Sequence, residues 1–306
     1  MGLSMRVLIT GATGLLGYHL LNATERKGFD VFATYHERKI EGFENVRWIR
    51  VDFEDTEKIE DTVKSARPDV IIHSAAFTDV DGCEIERAKA YRINYHATRA
   101  LASISSELKA RMIYISTDYV FDGEMGFYRE EDIPNPLNFY GLTKLLGEVS
   151  VESLLRERGL IVRVSGLYGY SPTGKKNFGL QALEKMMRKE EVKAFVDQHL
   201  SPTYVPFLAE RLLRALEMDV NGIIHIAGER MSRYEFALAL AEELGIEKNL
   251  VVPVSMKNLD LPAKRPRDSS LDSSRAREFG LSMPPQREGM RHFIEYYREK
   301  AIRGGV

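Results

Sequence analysis

Val7-Leu-Ile-Thr10, followed at once by Gly11-Ala-Thr-Gly14-Leu-Leu-Gly17, reads as a strand, a glycine turn and the opening of a helix. Glycine suits such a turn for three reasons: the bend is tight, a pyrophosphate must approach the backbone, and the helix packs closely on the sheet. The free N–H groups and partial positive charge of the helix N-terminus then favour phosphate. Glycine-rich turns without a ligand are common. Here the pattern falls on the first strand, first turn and first helix together, the context the motif requires. Gly11, Thr13, Gly14, Leu15, Leu16 and Gly17 are the candidate contacts to a dinucleotide cofactor.

Working outward, short β-branched runs alternate with longer amphipathic stretches. Strands are expected at Arg6–Thr10, Val31–Thr34, Val46–Val51, Val70–Ser74, Met112–Ser116, Leu160–Ser165 and Ile223–Ala227. Helices are expected at Leu15–Lys27, Thr56–Ala66, Glu84–Leu108, Tyr140–Arg158 and Pro206–Glu217. That alternation predicts an α/β fold, a doubly wound parallel Rossmann sheet covered on both faces. After Ser165 the rhythm changes: Gly169 to Lys176 reads as a loop, Ser232–Leu244 as a helix stopped by Gly245, Pro262–Arg267 as a basic turn, and about Arg287–Ala301 as a last helix. We expect residues 1–165 to form the cofactor domain, joined by elements around 204–228, and 166–306 to form mostly a smaller, interleaved C-terminal substrate-binding lobe.

Composition narrows the partners. The formal net charge is −2, so no global basic field draws nucleic acid or an anionic membrane. No apolar run approaches the roughly 18 residues needed to span a bilayer, and the start of the chain lacks a signal-peptide layout, so a cytoplasmic location is expected. Cys83 is the single cysteine, which excludes an intrachain disulfide and a cysteine-rich metal site. A packing role suits it better than chemistry.

The end of the second strand bears on cofactor choice. NAD sites usually present an acid to the ribose hydroxyls, and NADP sites a cation to the extra phosphate. Thr34-Tyr35-His36-Glu37-Arg38-Lys39 ends in no acid and brings two cations close behind, so Tyr35 and Arg38 are taken as contacts and NADPH is favoured, with NADH also open. Asp52-Phe53 after the third strand and Ala75-Ala76-Phe77 after the fourth extend the same surface, the carboxylate toward an adenine amine and the small residues toward the ribose and nicotinamide.

Carbonyl reduction needs a proton donor beside the hydride donor, and a group to polarise the oxygen. A tyrosine with a lysine one helical turn away meets the first need. Three pairs have that spacing: Tyr35 with Lys39, Tyr140 with Lys144, and Tyr296 with Lys300. Context separates them, because Tyr140 opens a helix that follows the strand ending in Ser116-Thr117, whereas the others straddle a strand end or sit in the terminal helix. Tyr140 and Lys144 are therefore the catalytic candidates and serve the cofactor site as well. Thr117 is the candidate polarising hydroxyl, and Asp118 is placed beside it, to orient the site or meet substrate.

Ser116-Thr-Asp-Tyr-Val-Phe-Asp-Gly123 closely resembles the dTDP-4-dehydrorhamnose reductase family of extended short-chain dehydrogenases. Ala75-Ala-Phe-Thr-Asp-Val-Asp81, Tyr140-Gly-Leu-Thr-Lys-Leu-Leu-Gly-Glu148, Asp197-Gln198, Ser201-Pro-Thr203 and Arg265-Pro266 carry the resemblance along nearly the whole chain. It implies reduction of the 4-keto group of a nucleotide-linked deoxysugar, with Val120, Phe121, Gln198, Ser201, Thr203 and Arg265 gripping the substrate. It also puts a structural asparagine at Asn94, and lets Arg265 and the lysines near Gly174 meet a diphosphate. Two positions depart from the family. Gly166 stands where a tryptophan usually faces the sugar, and Tyr18-His19 where some members carry a magnesium-binding glutamate, so no metal is expected. Two other readings stay open: a regulatory subunit similar to the methionine adenosyltransferase β subunit, with a partner enzyme, and a nucleotide-sugar epimerase or dehydratase. A homodimer is also open.

Overall fold

A computed structural model describes residues 4–304. Seven parallel strands form its central sheet: β1 (Arg6–Thr10), β2 (Asp30–Tyr35), β3 (Arg47–Arg50), β4 (Val70–His73), β5 (Arg111–Thr117), β6 (Gly159–Val164) and β7 (Gly222–His225). Their order is β7-β6-β5-β4-β1-β2-β3. The order reverses between β1 and β4, which opens a crevice at the carboxyl ends of the strands, where ligands of such sheets bind.

Strand alternation distributes the core to both faces. Val7 and Ile9 of β1 face one layer, with Leu20 and Leu21 of the first helix (Leu15–Thr24) and Leu208 and Leu212 of the helix Val205–Glu217. Leu8 faces the other, with Ile59 and Val63 of the helix Thr56–Ala66 and Val151 and Leu155 of the helix Phe139–Leu155. Covered on both sides, these strands carry near-continuous apolar runs.

One expected helix differs in form. Glu84–Leu108 is broken into Val80–Ile85, Arg87–Tyr91, a π-helical turn Arg92–His96, and Ala97–Leu108. The turn carries Asn94, whose side chain accepts from the Phe77 N–H at 2.8 Å and donates to the Phe77 carbonyl at 3.0 Å and to Thr143 at 3.1 Å. The widened turn aims this amide at the backbone behind the crevice, a place where π-bulges recur.

A third apolar cluster gathers Leu183 and Met186 of the helix Phe178–Met187, Phe236 and Leu240 of Arg233–Leu244, and Met290 and Phe293 of Gln286–Gly304. The parallel ladder Val192–Phe195 with Val251–Val254 borders it. Arg233–Leu244 ends, as expected, at Gly245 in the left-handed region, and it opens with a reciprocal cap between Ser232 and Glu235. Among the described residues, no helix is long and apolar enough to cross a membrane, and no group of three or more His, Cys, Asp or Glu side chains converges as a metal cage. Cys83 is buried, and burial pushes its thiol up to about 12.

His19 and His225 are buried, and burial pushes them down to about 4 and about 3. Between those values and about 6.5 the unfolded chain binds more protons than the folded one, so stability is lost as pH falls through that window. The melting temperature is expected to drop between pH 6.5 and 4, and His19→Asn to flatten that slope. An unchanged slope in the variant would remove His19 from the account.

Candidate active site

The crevice is a cavity of about 810 Å³ running from the glycine turn, past the ends of β4 and β5, to the loop before the helix Phe178–Met187. Gly11 sits at φ +66°, and a Cβ there would meet the Ala75 Cα at 2.7 Å. A Cβ on Gly17 would lie 2.2 Å from the Gly11 carbonyl oxygen. Backbone therefore packs on backbone here, which keeps the turn tight and the helix close to the sheet. Gly14 precedes the first helix and no side chain caps it, which leaves its first N–H groups facing the cavity.

The structure brings most of the candidates together. Thr13, Leu15, Leu16, Tyr35, Asp52, Phe53, Ala75, Ala76 and Phe77 line the cavity with the three glycines, and Thr117, Asp118, Tyr140 and Lys144 line it at the β5 end. The remainder lie elsewhere. Arg38 is exposed and outside the lining, where His36 and Glu37 stand instead. Val120 and Phe121 are fully buried in a separate small cluster, Phe121 stacked on Tyr128 at 4.3 Å, because the turn after β5 directs them into its own core. Ser201 accepts from the Leu271 N–H at 3.2 Å, and Thr203 donates to the Ser201 carbonyl at 2.9 Å, so both brace the loop behind the wall. Arg265 is neutralised by Asp81 through two contacts of 3.0 and 2.8 Å. Gln198 donates to the Tyr119 hydroxyl at 3.2 Å and accepts from Arg233 Nε at 2.6 Å, one layer back from the cavity.

Arg233, Tyr119 and Asn177 line the cavity and escaped the sequence reading. Arg233 carried one usable signal, its place directly after the Ser232 cap, where a helix N-terminus gathers anions. Lys175 and Lys176, in the loop from Gly169 to Lys176, also line the cavity, and Thr173 of that loop donates to the Thr13 carbonyl at 3.2 Å.

The β5 end combines three functional groups. Asn138 caps the helix Phe139–Leu155, accepting from the Gly141 N–H at 2.9 Å, and so fixes where Tyr140 emerges. Burial pushes the Tyr140 phenol above its ordinary value, with the Thr117 hydroxyl pulling it back down. Lys144 is buried, donates to the Ile115 carbonyl at 2.7 Å and lies over the Tyr114 ring at 4.1 Å. Burial pushes its ammonium down to about 7, with Glu148 and then Cys83 acting the other way. Thr117 donates to Asp118 at 3.1 Å, and Asp118 accepts from Ser165 at 2.8 Å and from Ser269. Asp118 thus orients the Thr117 hydroxyl from behind.

A parallel sheet in this order, a glycine turn at its switch point and a Tyr-x-x-x-Lys helix beside a strand-end threonine define a Rossmann-type oxidoreductase of the short-chain kind. Residues 5–299 match the model of the RmlD substrate binding domain, and the chain belongs to that family. The chain is similar to a hypothetical dTDP-4-dehydrorhamnose reductase of Sulfolobus tokodaii at 41% identity and a TM-score of 0.82, covering 93% of this chain and 99% of that one. It is also similar to the Bacillus anthracis dTDP-4-dehydrorhamnose reductase in complex with NADP, at 32% identity and a TM-score of 0.85, covering 96% and 100%. The bovine methionine adenosyltransferase 2 subunit beta is 34% identical, over 94% of this chain and 87% of its own length. The protein is a dTDP-4-dehydrorhamnose reductase-like, NAD(P)-dependent oxidoreductase.

Proposed function

We propose that this chain reduces the 4-keto group of a nucleotide-linked deoxysugar with a nicotinamide cofactor. The observation that carries this reading is the convergence of Thr117, Tyr140 and Lys144 on the cavity that begins at the glycine turn. The tight glycine turn, where a Cβ at Gly17 would strike the Gly11 carbonyl, and the uncapped helix that follows it fit the pyrophosphate of a dinucleotide. Gly11 to Gly17, Tyr35, Asp52, Phe53 and Ala75 to Phe77 would hold it. When bound, that cofactor supplies a hydride.

Tyr140 gives its phenolic proton to the substrate carbonyl oxygen, which the Thr117 hydroxyl also meets. Lys144 stabilises the tyrosinate left behind and reaches the cofactor ribose. Asp118 holds the Thr117 hydroxyl in the free site, and with substrate bound that proton turns to the carbonyl oxygen. Arg233 and Lys175, whose positive charges border the same cavity, suit the substrate diphosphate. Gln198, Ser201, Thr203, Val120, Phe121 and Arg265 support the substrate wall from behind. Residues 1–165 with the segment 204–228 form the cofactor part, and 166–306 mostly the substrate part.

NADPH is the favoured cofactor, supported by the NADP complex of the Bacillus anthracis relative and by Arg38 and Lys39 beyond the lining. Glu37 in the lining suits the ribose hydroxyls of NADH, which leaves NADH open as well. Arg38→Ala is expected to weaken NADPH several-fold and leave NADH unchanged in a fluorescence titration. Parallel changes for both cofactors would sink the preference.

The function is tested by NADPH oxidation with enzymatically made dTDP-4-keto-6-deoxy-L-mannose. Substrate-dependent oxidation supports the reductase. Tight cofactor binding without turnover would favour the second reading, a regulatory subunit, which the likeness to the bovine β subunit supports.

A further inference from the structure

Behind Lys144, two further charged groups are as deeply buried as Lys144 itself. Arg163 of β6 and Glu148 of the helix Phe139–Leu155 are 2% and 3% exposed and meet through two contacts of 2.9 and 2.7 Å. Ser116 of β5 donates to the same carboxylate. Arg163 is held in turn by His225 of β7 at 3.4 Å and lies over the Phe121 ring at 5.0 Å. His225 donates its Nδ1 proton to the Tyr128 carbonyl at 3.1 Å, leaving Nε2 to accept from Arg163.

Glu148 therefore ties three elements that deliver the site: the helix carrying Tyr140 and Lys144, the strand ending in Thr117, and the strand leading to Gly166. Its contacts alternate with those of Lys144 along β5, since Lys144 binds the Ile115 carbonyl and Glu148 the next residue, Ser116. Between them on the helix, Gly147 admits the Tyr114 hydroxyl, which would lie 2.3 Å from a Cβ there. Burying such a pair costs desolvation, and buried ion pairs are retained in some proteins because they fix register.

We propose that Glu148, clamped by Arg163 and Ser116, is a positioning residue that registers the Tyr140 helix on β5 and supplies the counter-charge for the Lys144 ammonium. The inference rests on the role given to Lys144 above. The groups facing Lys144 are few. Tyr140 and Glu148 come from its own helix, Tyr114 from β5, His73 from β4 and Cys83 from the helix Val80–Ile85, with Arg163 of β6 behind Glu148. Burial holds His73 neutral and pushes Cys83 up to about 12. Glu148 is thus the anion acting on Lys144 at neutral pH. Removing it disfavours the charged form of a buried lysine, so the proton leaves at lower pH.

The test is the titration of Lys144 in chain labelled with [ε-¹³C]lysine, without cofactor or substrate, its resonance identified by its absence in Lys144→Arg. The wild type is expected to titrate at about 7, and Glu148→Gln about one pH unit lower or more. Glu148→Leu combined with Arg163→Met removes both charges of the pair, strands neither of its two partners, and so keeps the fold; it is expected to shift Lys144 in the same direction. An unmoved resonance in that folded double variant overturns the proposal. In the oxidation assay the alkaline limb of kcat/KM should move down with the resonance, and a limb that stays put overturns the catalytic half. If the wild type shows no turnover, the reductase reading fails, while the resonance still decides the pairing.

Discussion

Tyr140→Phe is expected to lower kcat for keto-sugar reduction by about 10²–10⁴-fold, the range for losing a positioned general acid. The phenol is the one proton donor that shares the cavity wall with both Thr117 and Lys144 among the residues assigned to the reaction. Phenylalanine keeps the ring and its edge contact with Tyr119, whose centroid lies 6.0 Å away, so packing of the wall should survive. Cofactor affinity should stay within about threefold, because the glycine turn and helix N-terminus are untouched. The measurement is steady-state NADPH oxidation paired with a fluorescence titration of NADPH. Near-normal turnover would exclude Tyr140 as the acid, and parallel loss of cofactor binding would point to a damaged fold instead.

Arg163→Ala should destabilise the protein by about 3–5 kcal/mol, the usual result of removing one partner of a buried pair. Glu148 would remain in the interior with the Ser116 hydroxyl as its surviving side-chain partner. The loss arises mainly from the stranded carboxylate rather than from the pair's net worth. A substitution that removes both charges, Glu148→Leu with Arg163→Met, should therefore unfold at a denaturant concentration close to the wild type. Urea unfolding of the two variants separates these cases. Equal and large losses in both would mean that packing around Arg163, including its seat over Phe121, sets the stability.

Local patterns determined much of this protein. The run Val7 to Gly17 fixes a strand, a turn and a helix through constraints that act within a dozen residues, namely β-branching, positive φ and close backbone approach. The spacing of Tyr140 and Lys144 needs only one helical turn. The Ser232 cap and the Gly245 stop are likewise local. Such features remain readable because their physics involves neighbours in the chain.

Tertiary structure decided what depends on which face a residue meets. Val120 and Phe121 adjoin Thr117 in sequence yet turn into a separate core, since the turn after β5 reverses their direction. Arg265 reads as a free cation, but a carboxylate 184 residues earlier, Asp81, neutralises it. Arg233 reads as an ordinary helix charge, but the fold carries it to the cavity wall. Arg163 lies on a strand that reads as apolar core and Glu148 on a helix that reads as amphipathic, and neither signals the other as its partner. In each case the deciding contact joins segments far apart in the chain, and the energy of burying a charge is set by that contact rather than by local sequence.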